Sequence, residues 1–183
     1  LGHAYQQGLC AVHSWMPIQL PTSTPKSVDS LADLLRGRPH VLRAPAHQLQ
    51  RSGQAEGPLV GGNLSVLYSM LGSPSFPNLQ GCILALEDLD EYRYHMDRMF
   101  WGLRRAGVLQ GLAGVVVGSF SDMKDNALPF GKEPLEIVSE ALPGAVPLAM
   151  GMPFGHESAN EAFITGYRYR LVVDSAGGHL SPL

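Results

Sequence analysis

The chain has 183 residues, a length that allows one substantial core or one and a half small domains. Only 16% of the residues are charged, the net charge is −3 and no basic block is present, so nucleic acid is not an expected partner. No apolar stretch is long enough to span a bilayer, and no signal peptide is visible. The chain has two cysteines, Cys10 and Cys82, too few and too far apart in sequence for a disulfide framework, so we expect reduced thiols in a cytoplasmic protein. Without an apolar span, no membrane partner is expected.

The N-terminal third of the chain is predicted to carry only short elements. A helix remnant is followed by a buried strand over the apolar residues 9–12 and, after a polar loop with prolines, by a short helix that opens at Ser30. Residues 36–58 are polar and are interpreted as a linker, with strands near Val41 and Leu59. This stretch is therefore expected to lead into a more regular domain.

From Pro58 onwards, apolar runs of strand length alternate with helical patterns. The predicted strands cover residues 82–86, 112–117, 146–150 and 167–173, and the predicted helices cover residues 64–71, 96–103 and 134–142. Asn63 is the predicted N-cap of the first helix. The middle helix carries an apolar stripe typical of core packing, formed by Met96, Met99, Phe100 and Leu103. This alternation predicts the α/β fold class with a partly parallel sheet.

Two of the predicted strands end in residues that could perform chemistry. Glu87 ends the strand 82–86, and His156 follows the strand 146–150 in a loop rich in glycine and proline. The carboxyl ends of parallel strands line the ligand crevice of an open α/β sheet, so the two side chains could meet there. A carboxylate beside an imidazole fixes its tautomer and stabilises the imidazolium. The residues alone leave an alternative open, in which Glu87 is a cap or solvated charge and His156 an ordinary surface histidine.

Four short motifs follow one another along the chain. In order they are Gly61-Gly62-Asn63-Leu64; Leu86-Glu87-Asp88-x-x-Glu91 followed by Tyr94-x-x-Asp97-Arg98; Gly114-x-x-x-Gly118-Ser119-Phe120; and Pro153-x-Gly155-His156-x-x-x-Asn160. Each motif alone is weak, but in this order and spacing they resemble the second half of the LD-carboxypeptidase family. These are serine peptidases of bacterial murein recycling, and the microcin-immunity hydrolases are their relatives.

The resemblance implies a fold and a division of the chain. Residues 58–183 are expected to form the family's C-terminal domain, of a swivelling β/β/α type. Residues 1–57 are expected to hold a remnant of the N-terminal α/β domain, which carries the nucleophile, and the linker. Within that remnant, residues 13–17 stand where the family usually has His-Gly-Pro.

The resemblance also implies roles for individual residues. Glu87 and His156 occupy the family's triad positions, where His156 would act as general base towards a serine and then as general acid towards the leaving amine. Asn63 is a candidate for substrate binding, because a helix start suits an anionic group, although it is equally well explained as a plain cap. Glu91 is a second candidate, with a solvated charge as its alternative. Asn160 could brace the loop of His156.

The nucleophile itself is missing from the motifs of this chain. The family carries its serine in a Gly-x-Ser-Asp turn just before the segment that corresponds to Leu1, and residues 1–5 resemble the middle of a helix. Ser119 and Ser121 imitate that turn but match a strand end of the C-terminal domain, so we interpret them as decoys. We therefore expect a fragment that lacks the nucleophile and is inactive by itself.

The implied reaction is hydrolysis of the amide between meso-diaminopimelate and the terminal D-alanine of murein tetrapeptide. Two alternatives stay open: cleavage of an aminoacyl-nucleotide conjugate by the same triad, and a binding domain of this fold without turnover. The expected partner is a murein peptide, and a homodimer is left open. No metal site is expected, because no histidine pair has ligand spacing with an acid or cysteine, and no cofactor is expected, because glycine loops of the phosphate-binding type are absent.

Overall fold

The structure is a computed structural model that describes residues 2–183, and its centre is a seven-stranded mixed sheet. The strands are β1 (Ala11–His13), β2 (Leu42–Pro45), β3 (Gly53–Asn63), β4 (Ile83–Leu89), β5 (Gly114–Ser121), β6 (Leu148–Met150), β7 (Phe163–Thr165), β8 (Arg168–Asp174) and β9 (Gly177–Pro182). The helices are α1 (Gly2–Gln6), α2 (Pro25–Leu35), α3 (Leu64–Ser69), α4 (Arg93–Arg105) and α5 (Pro134–Ala141), with a 3₁₀ helix at Pro17–Thr22. Across residues 2–183, no helix is both long and apolar enough to cross a membrane.

The sheet has a parallel half and an antiparallel half that share one strand. Its order is β2-β9-β8-β3-β4-β5-β6. Residues 53–58 of β3 pair antiparallel with β8, whereas residues 59–63 pair parallel with β4. The pairs β4–β5 and β5–β6 are also parallel, so the C-terminal ends of four strands lie at one edge. The predicted α/β class with a partly parallel sheet is confirmed.

Helices α3, α4 and α5 connect the parallel strands and pack on one face of the sheet. The predicted stripe of α4 is buried there, with every member at most 1% exposed. Burying a large apolar side chain contributes about 1.5–3 kcal/mol, so this stripe is a main source of cohesion between helix and sheet. The other face packs against Phe154 and Phe163, which belong to the segment that follows β6.

Three expectations about the first and last parts of the chain were wrong in detail. The strand predicted at residues 9–12 is shifted and is not buried: β1 spans Ala11–His13 and pairs with β7, and Leu9 is 61% exposed. Helix α2 begins at Pro25 rather than Ser30, because the Thr24 side chain accepts from the backbone amide of Ser27 and proline suits the first helical position. Strands β7 and β9 were not predicted.

The segment interpreted as a linker contributes to the sheet. The strand expected near Val41 is β2, which pairs with β9, and the strand expected near Leu59 is the long β3. The expected division of the chain between residues 57 and 58 therefore falls inside β3. As a statement about domains of a longer protein, that division stays a prediction.

Candidate active site

The ends of the parallel strands bring the two main candidate residues together. Glu87 lies near the end of β4, directly opposite Asn63 at the end of β3. His156 lies in the loop that leaves β6, the strand at the far side of β5. Asn63, Glu87 and His156 all line one cavity of about 560 Å³. The cavity is therefore formed at the edge of the sheet where the alternation of strands and helices predicted a crevice.

Glu87 and His156 form a hydrogen bond. The distance between Nδ1 of His156 and Oε2 of Glu87 is 2.7 Å, although the two residues are 69 positions apart in sequence. The carboxylate side chain is 1% exposed and the imidazole 31% exposed. With Nδ1 engaged by the carboxylate, Nε2 is the ring nitrogen left to exchange a proton with another group. The expected contact between these two residues is confirmed.

The loop that carries His156 is held tightly against β5. Gly155 has a φ of +127°, and a Cβ at this position would overlap the hydroxyl of Ser119. The backbone amide of Gly155 donates to Oδ1 of Asn160 at 3.2 Å, and Asn160 is 4% exposed. The amide of Ser119 donates to the carbonyl of Phe154 at 2.9 Å. Asn160 thus braces the loop as expected, and glycine is the residue that the backbone and the space at position 155 require.

Helix α2 also supports the loop of His156, a contact that was not predicted from the sequence. The hydroxyl of Ser27 donates to the carbonyl of Ser158 at 3.0 Å, and the amide of Ala162 donates to the hydroxyl of Ser30 at 2.9 Å. Partners in these bonds are 131 and 132 positions apart. No local pattern could reveal them, because the bonding groups are two serines and backbone atoms.

A second histidine lies beside Glu87. Nε2 of His13 is 3.8 Å from Oε1 of Glu87, longer than a hydrogen bond but within the range of a close electrostatic contact. The His13 ring stacks on Phe163 with 4.6 Å between ring centroids and an interplanar angle of 11°. Its Nδ1 atom is buried without a hydrogen-bond partner in the described part of the chain. Glu87 consequently lies between two imidazoles, one at each carboxylate oxygen.

The surroundings of Glu87 favour its charged form. Burial alone would raise the pKa of a carboxyl group, but His13 and His156 outweigh that effect and hold the pKa of Glu87 below its ordinary value. The side chain is therefore a carboxylate at neutral pH. A carboxylate is the form that orients an imidazole and stabilises its protonated state.

Asn63 combines capping with a place in the cavity wall. Its Oδ1 accepts from the amide of Val66 at 3.1 Å, which confirms the predicted N-cap of α3. Its Nδ2 donates to Oδ1 of Asp88 at 2.7 Å, and Oδ2 of Asp88 accepts from the amide of Ser65 at 2.9 Å. Burial raises the pKa of Asp88 above its ordinary value. Both ends of the Asn63 side chain are thus engaged by groups of the protein, and substrate binding by Asn63 stays a prediction.

The remaining candidate residues lie away from this pair. Glu91 is 2.6 Å from Nδ1 of His95 and is not part of the cavity wall, so its contact with a substrate stays a prediction without geometric support. The hydroxyls of Ser119 and Ser121 are buried without partners in the described residues, and neither serine lines the cavity of His156. Over residues 2–183, no group of three or more potential metal ligands is found.

The fold is an α/β domain that carries a hydrogen-bonded carboxylate and imidazole at the ends of its parallel strands. Residues 56–171, more than half of the chain, match the family model described as the LD-carboxypeptidase C-terminal domain. The chain belongs to the LD-carboxypeptidase family. It is therefore a member of a family of hydrolases, as the order of its motifs indicated.

Individual relatives agree with this assignment. The murein tetrapeptide carboxypeptidase of Pseudomonas aeruginosa is 33% identical over 175 residues, which cover 88% of this chain and 56% of that protein. The crystal structure of muramoyltetrapeptide carboxypeptidase from Oxalobacter formigenes shares the fold with a TM-score of 0.87 and 24% identity, covering 99% of this chain and 64% of the other. The microcin C7 self-immunity protein MccF shares it with a TM-score of 0.78 and 18% identity. The chain thus spans less than two thirds of the length of these proteins.

Proposed function

We propose that the chain is the C-terminal part of a serine-type LD-carboxypeptidase that releases terminal D-alanine from murein tetrapeptide. The single observation that carries the proposal is the 2.7 Å contact between a buried carboxylate, Glu87, and a half-exposed imidazole, His156, at the wall of a 560 Å³ cavity. In this proposal the parent protein acts in murein recycling in the cytoplasm. Residues 1–57 belong to its nucleophile domain and linker, and residues 58–183 form the C-terminal domain.

The proposed reaction needs one proton carrier. Nε2 of His156 removes the proton of a serine hydroxyl while its oxygen attacks the carbonyl carbon of the L,D-amide. The C–N bond then breaks, D-alanine leaves with the proton from Nε2, and an acyl-enzyme remains. Water repeats the sequence and frees the peptide. Glu87 stabilises the imidazolium that forms twice in this cycle.

The nucleophile is proposed to come from the part of the relatives' length that the chain does not span. In support, none of the hydroxyls in residues 2–183 donates a hydrogen bond to Nε2 of His156. Among the residues that the structure describes, four serines line the cavity, Ser14, Ser69, Ser73 and Ser75, and Ser14, which directly follows His13 in sequence, is the internal alternative. The 183-residue chain alone is accordingly proposed to be inactive.

The cavity wall favours a peptide over a nucleotide conjugate. Besides His13, Glu87 and His156, its lining comprises neutral polar and aliphatic side chains, among them Gln19, Asn63 and Met70. Within residues 2–183, no phenylalanine, tyrosine or tryptophan lines it, and stacking on such a ring is a common way to hold a nucleobase. We therefore place the microcin-immunity type of reaction second. Asn63, which lines the cavity, and Glu91, which does not, are the proposed contacts of the murein peptide.

The test measures D-alanine release from an L,D-tetrapeptide by the full-length parent protein. Glu87→Gln keeps the size of the side chain but removes the charge, and we expect kcat to fall about 10⁴-fold, as for the orienting acid of other triads. His156→Ala should cause a comparable loss, and Ser119→Ala should leave release intact. Near-normal release by either dyad variant would remove that residue from the mechanism.

A serine-reactive probe separates the remaining possibilities. Labelling of the parent but not of the 183-residue chain supports an external nucleophile, whereas labelling at Ser119, at Ser121 or at a serine of the cavity wall, such as Ser14, contradicts it. A parent protein that binds the tetrapeptide without releasing D-alanine would instead identify a binding domain.

A further inference from the structure

His13 contacts the candidate dyad from a different part of the chain. It is the last residue of β1, and it pairs in register with Phe163 at the start of β7, directly after the loop of His156. Its side chain is 13% exposed and stacks flat on Phe163, with the edge of Phe154 at 6.0 Å between centroids. The ring is therefore fixed by two aromatic neighbours and one backbone ladder.

The fixed ring directs only one of its nitrogens at a polar partner. Nε2 faces Oε1 of Glu87 at 3.8 Å, while the buried Nδ1 has no partner in the described residues. In its neutral form the ring then carries its proton on Nε2, because that tautomer meets the carboxylate. The other oxygen of Glu87 is the one that binds His156. Each oxygen of the Glu87 carboxylate thus faces a different imidazole.

We propose that His13 is a positioning residue of the dyad: its imidazole faces Oε1 of Glu87 and, through this electrostatic contact, limits the negative charge that Oε2 presents to His156. This inference deepens the proposed function and rests on it. His13 does not exchange the catalytic proton. It sets how strongly Glu87 stabilises the imidazolium of His156, and thus the pH at which His156 becomes a free base.

The sign of the effect follows from the groups that face Glu87. The titratable side chains in the cavity wall are His13, Glu87 and His156, and the next carboxylate, Asp88, is engaged with α3 through Asn63 and Ser65. Removing the N–H of His13 leaves the whole charge of Glu87 to His156, which stabilises the imidazolium further. Whether His13 is neutral or charged, its removal therefore raises the pKa of His156.

Two variants separate this role from simple packing. His13→Phe keeps an aromatic ring on Phe163 but has no N–H, whereas His13→Gln loses the ring but can direct an amide N–H at Glu87. If His13 acts only by stacking, His13→Phe resembles the wild type and His13→Gln does not. If His13 acts on Glu87, His13→Gln resembles the wild type and His13→Phe does not.

The experiment is an NMR titration of the His156 imidazole in the 183-residue chain, with the resonance assigned by its loss in His156→Ala. We expect His13→Phe to raise the pKa of His156 by roughly half a unit or more, and His13→Gln to shift it less. Glu87→Gln, the reference, should lower it. An unchanged or lowered value in His13→Phe, or a larger shift in His13→Gln, overturns the proposal. If His13→Phe does not fold, His13→Asn replaces it, because its amide is too short to reach Glu87.

The titration requires no turnover, so it is independent of the proposed reaction. In the full-length parent, the acid limb of kcat/KM should move to higher pH by the same amount in His13→Phe, while KM for the tetrapeptide stays unchanged. A parent without D-alanine release would contradict the proposed function and leave the titration result standing. A shifted KM with an unmoved acid limb would assign His13 to substrate binding instead.

Discussion

Gly155 packs so closely on Ser119 that no side chain can be accommodated between them. A Cβ on Gly155 would overlap the Ser119 hydroxyl and lie 3.3 Å from Cβ of Glu87. Gly155, the residue before His156, thus contacts β5, the strand that pairs with the strand of Glu87. Together with the hydrogen bonds of Asn160 and of the Ser119 amide, this contact holds the loop of His156 against the sheet beside Glu87.

We expect Gly155→Ala to weaken the protein and the site together. The φ of +127° is unfavourable for alanine and the new methyl group has no space, so unfolding in urea should show a loss of about 1–3 kcal/mol. Activity of the parent should fall as well. Gly144→Ala is the matched control, because nothing lies within 4 Å of its Cβ. Adding Ser119→Ala should restore part of the loss; no restoration would show that the overlap with the Ser119 hydroxyl is not its cause.

The charge of Glu87 should be visible in the pH dependence of stability. Because the pKa of Glu87 in the folded protein is below its ordinary value of 4.5, its contribution is fully present above that pH and is lost as the pH falls through the folded pKa. In urea unfolding, the free energy of unfolding of the wild type should therefore exceed that of Glu87→Gln by an amount that grows as the pH rises towards 4.5. A difference that does not vary with pH in this range would contradict the assigned shift.

Asp88 should matter for stability rather than for proton transfer. Its two oxygens accept from Asn63, from the amide of Ser65 and from the amide of Leu89, so Asp88→Ala leaves these donors without their acceptor. We expect a loss of about 1–3 kcal/mol in urea unfolding. Asp29→Ala, a change at an exposed position of α2, should have little effect. Equal stability of the two variants would show that Asp88 does not fix α3.

Ser30 should contribute to the order of the His156 loop. Ser30→Ala removes the acceptor of the Ala162 amide, a buried donor, at a cost of about 1–3 kcal/mol. Hydrogen exchange of the Ala162 amide should become faster in this variant, and D-alanine release by the parent should decrease. Ser175→Ala, at an exposed turn between β8 and β9, is the control. Unchanged exchange at Ala162 would remove α2 from the support of the loop.

The sequence predicted those features that depend on local patterns. The stripe of α4 and the cap at Asn63 follow from helical spacing and from side-chain chemistry next to the backbone, and both are found. The meeting of Glu87 and His156 follows from a rule of topology, since the ends of parallel strands share one edge. The structure shows how the two residues meet: in the order β4, β5 and β6, the loop that follows β6 reaches across β5 to Glu87 on β4.

The sequence could not predict features that depend on distant contacts or on untypical strands. His13 was noted only for its position in a motif, since nothing local indicates that β1 lies against β7. The serines of α2 contact the loop through bonds that span more than 130 positions. Strand β9 contains Gly177 and Gly178 and ends at Pro182, a composition more typical of a turn. It is a strand because β2 and β8 pair with it on both sides.

The position of β9 has a practical consequence for anyone who wishes to isolate the region matched by the family model. A polypeptide trimmed to residues 56–171 would lack β2 and β9 and would keep only part of β8. The apolar side chains of Tyr169 and Leu171 would then lie on an unprotected outer strand, where backbone groups are free to recruit other molecules. Such a piece should self-associate, and the useful minimal unit is the longer span that begins before His13 and extends through Pro182.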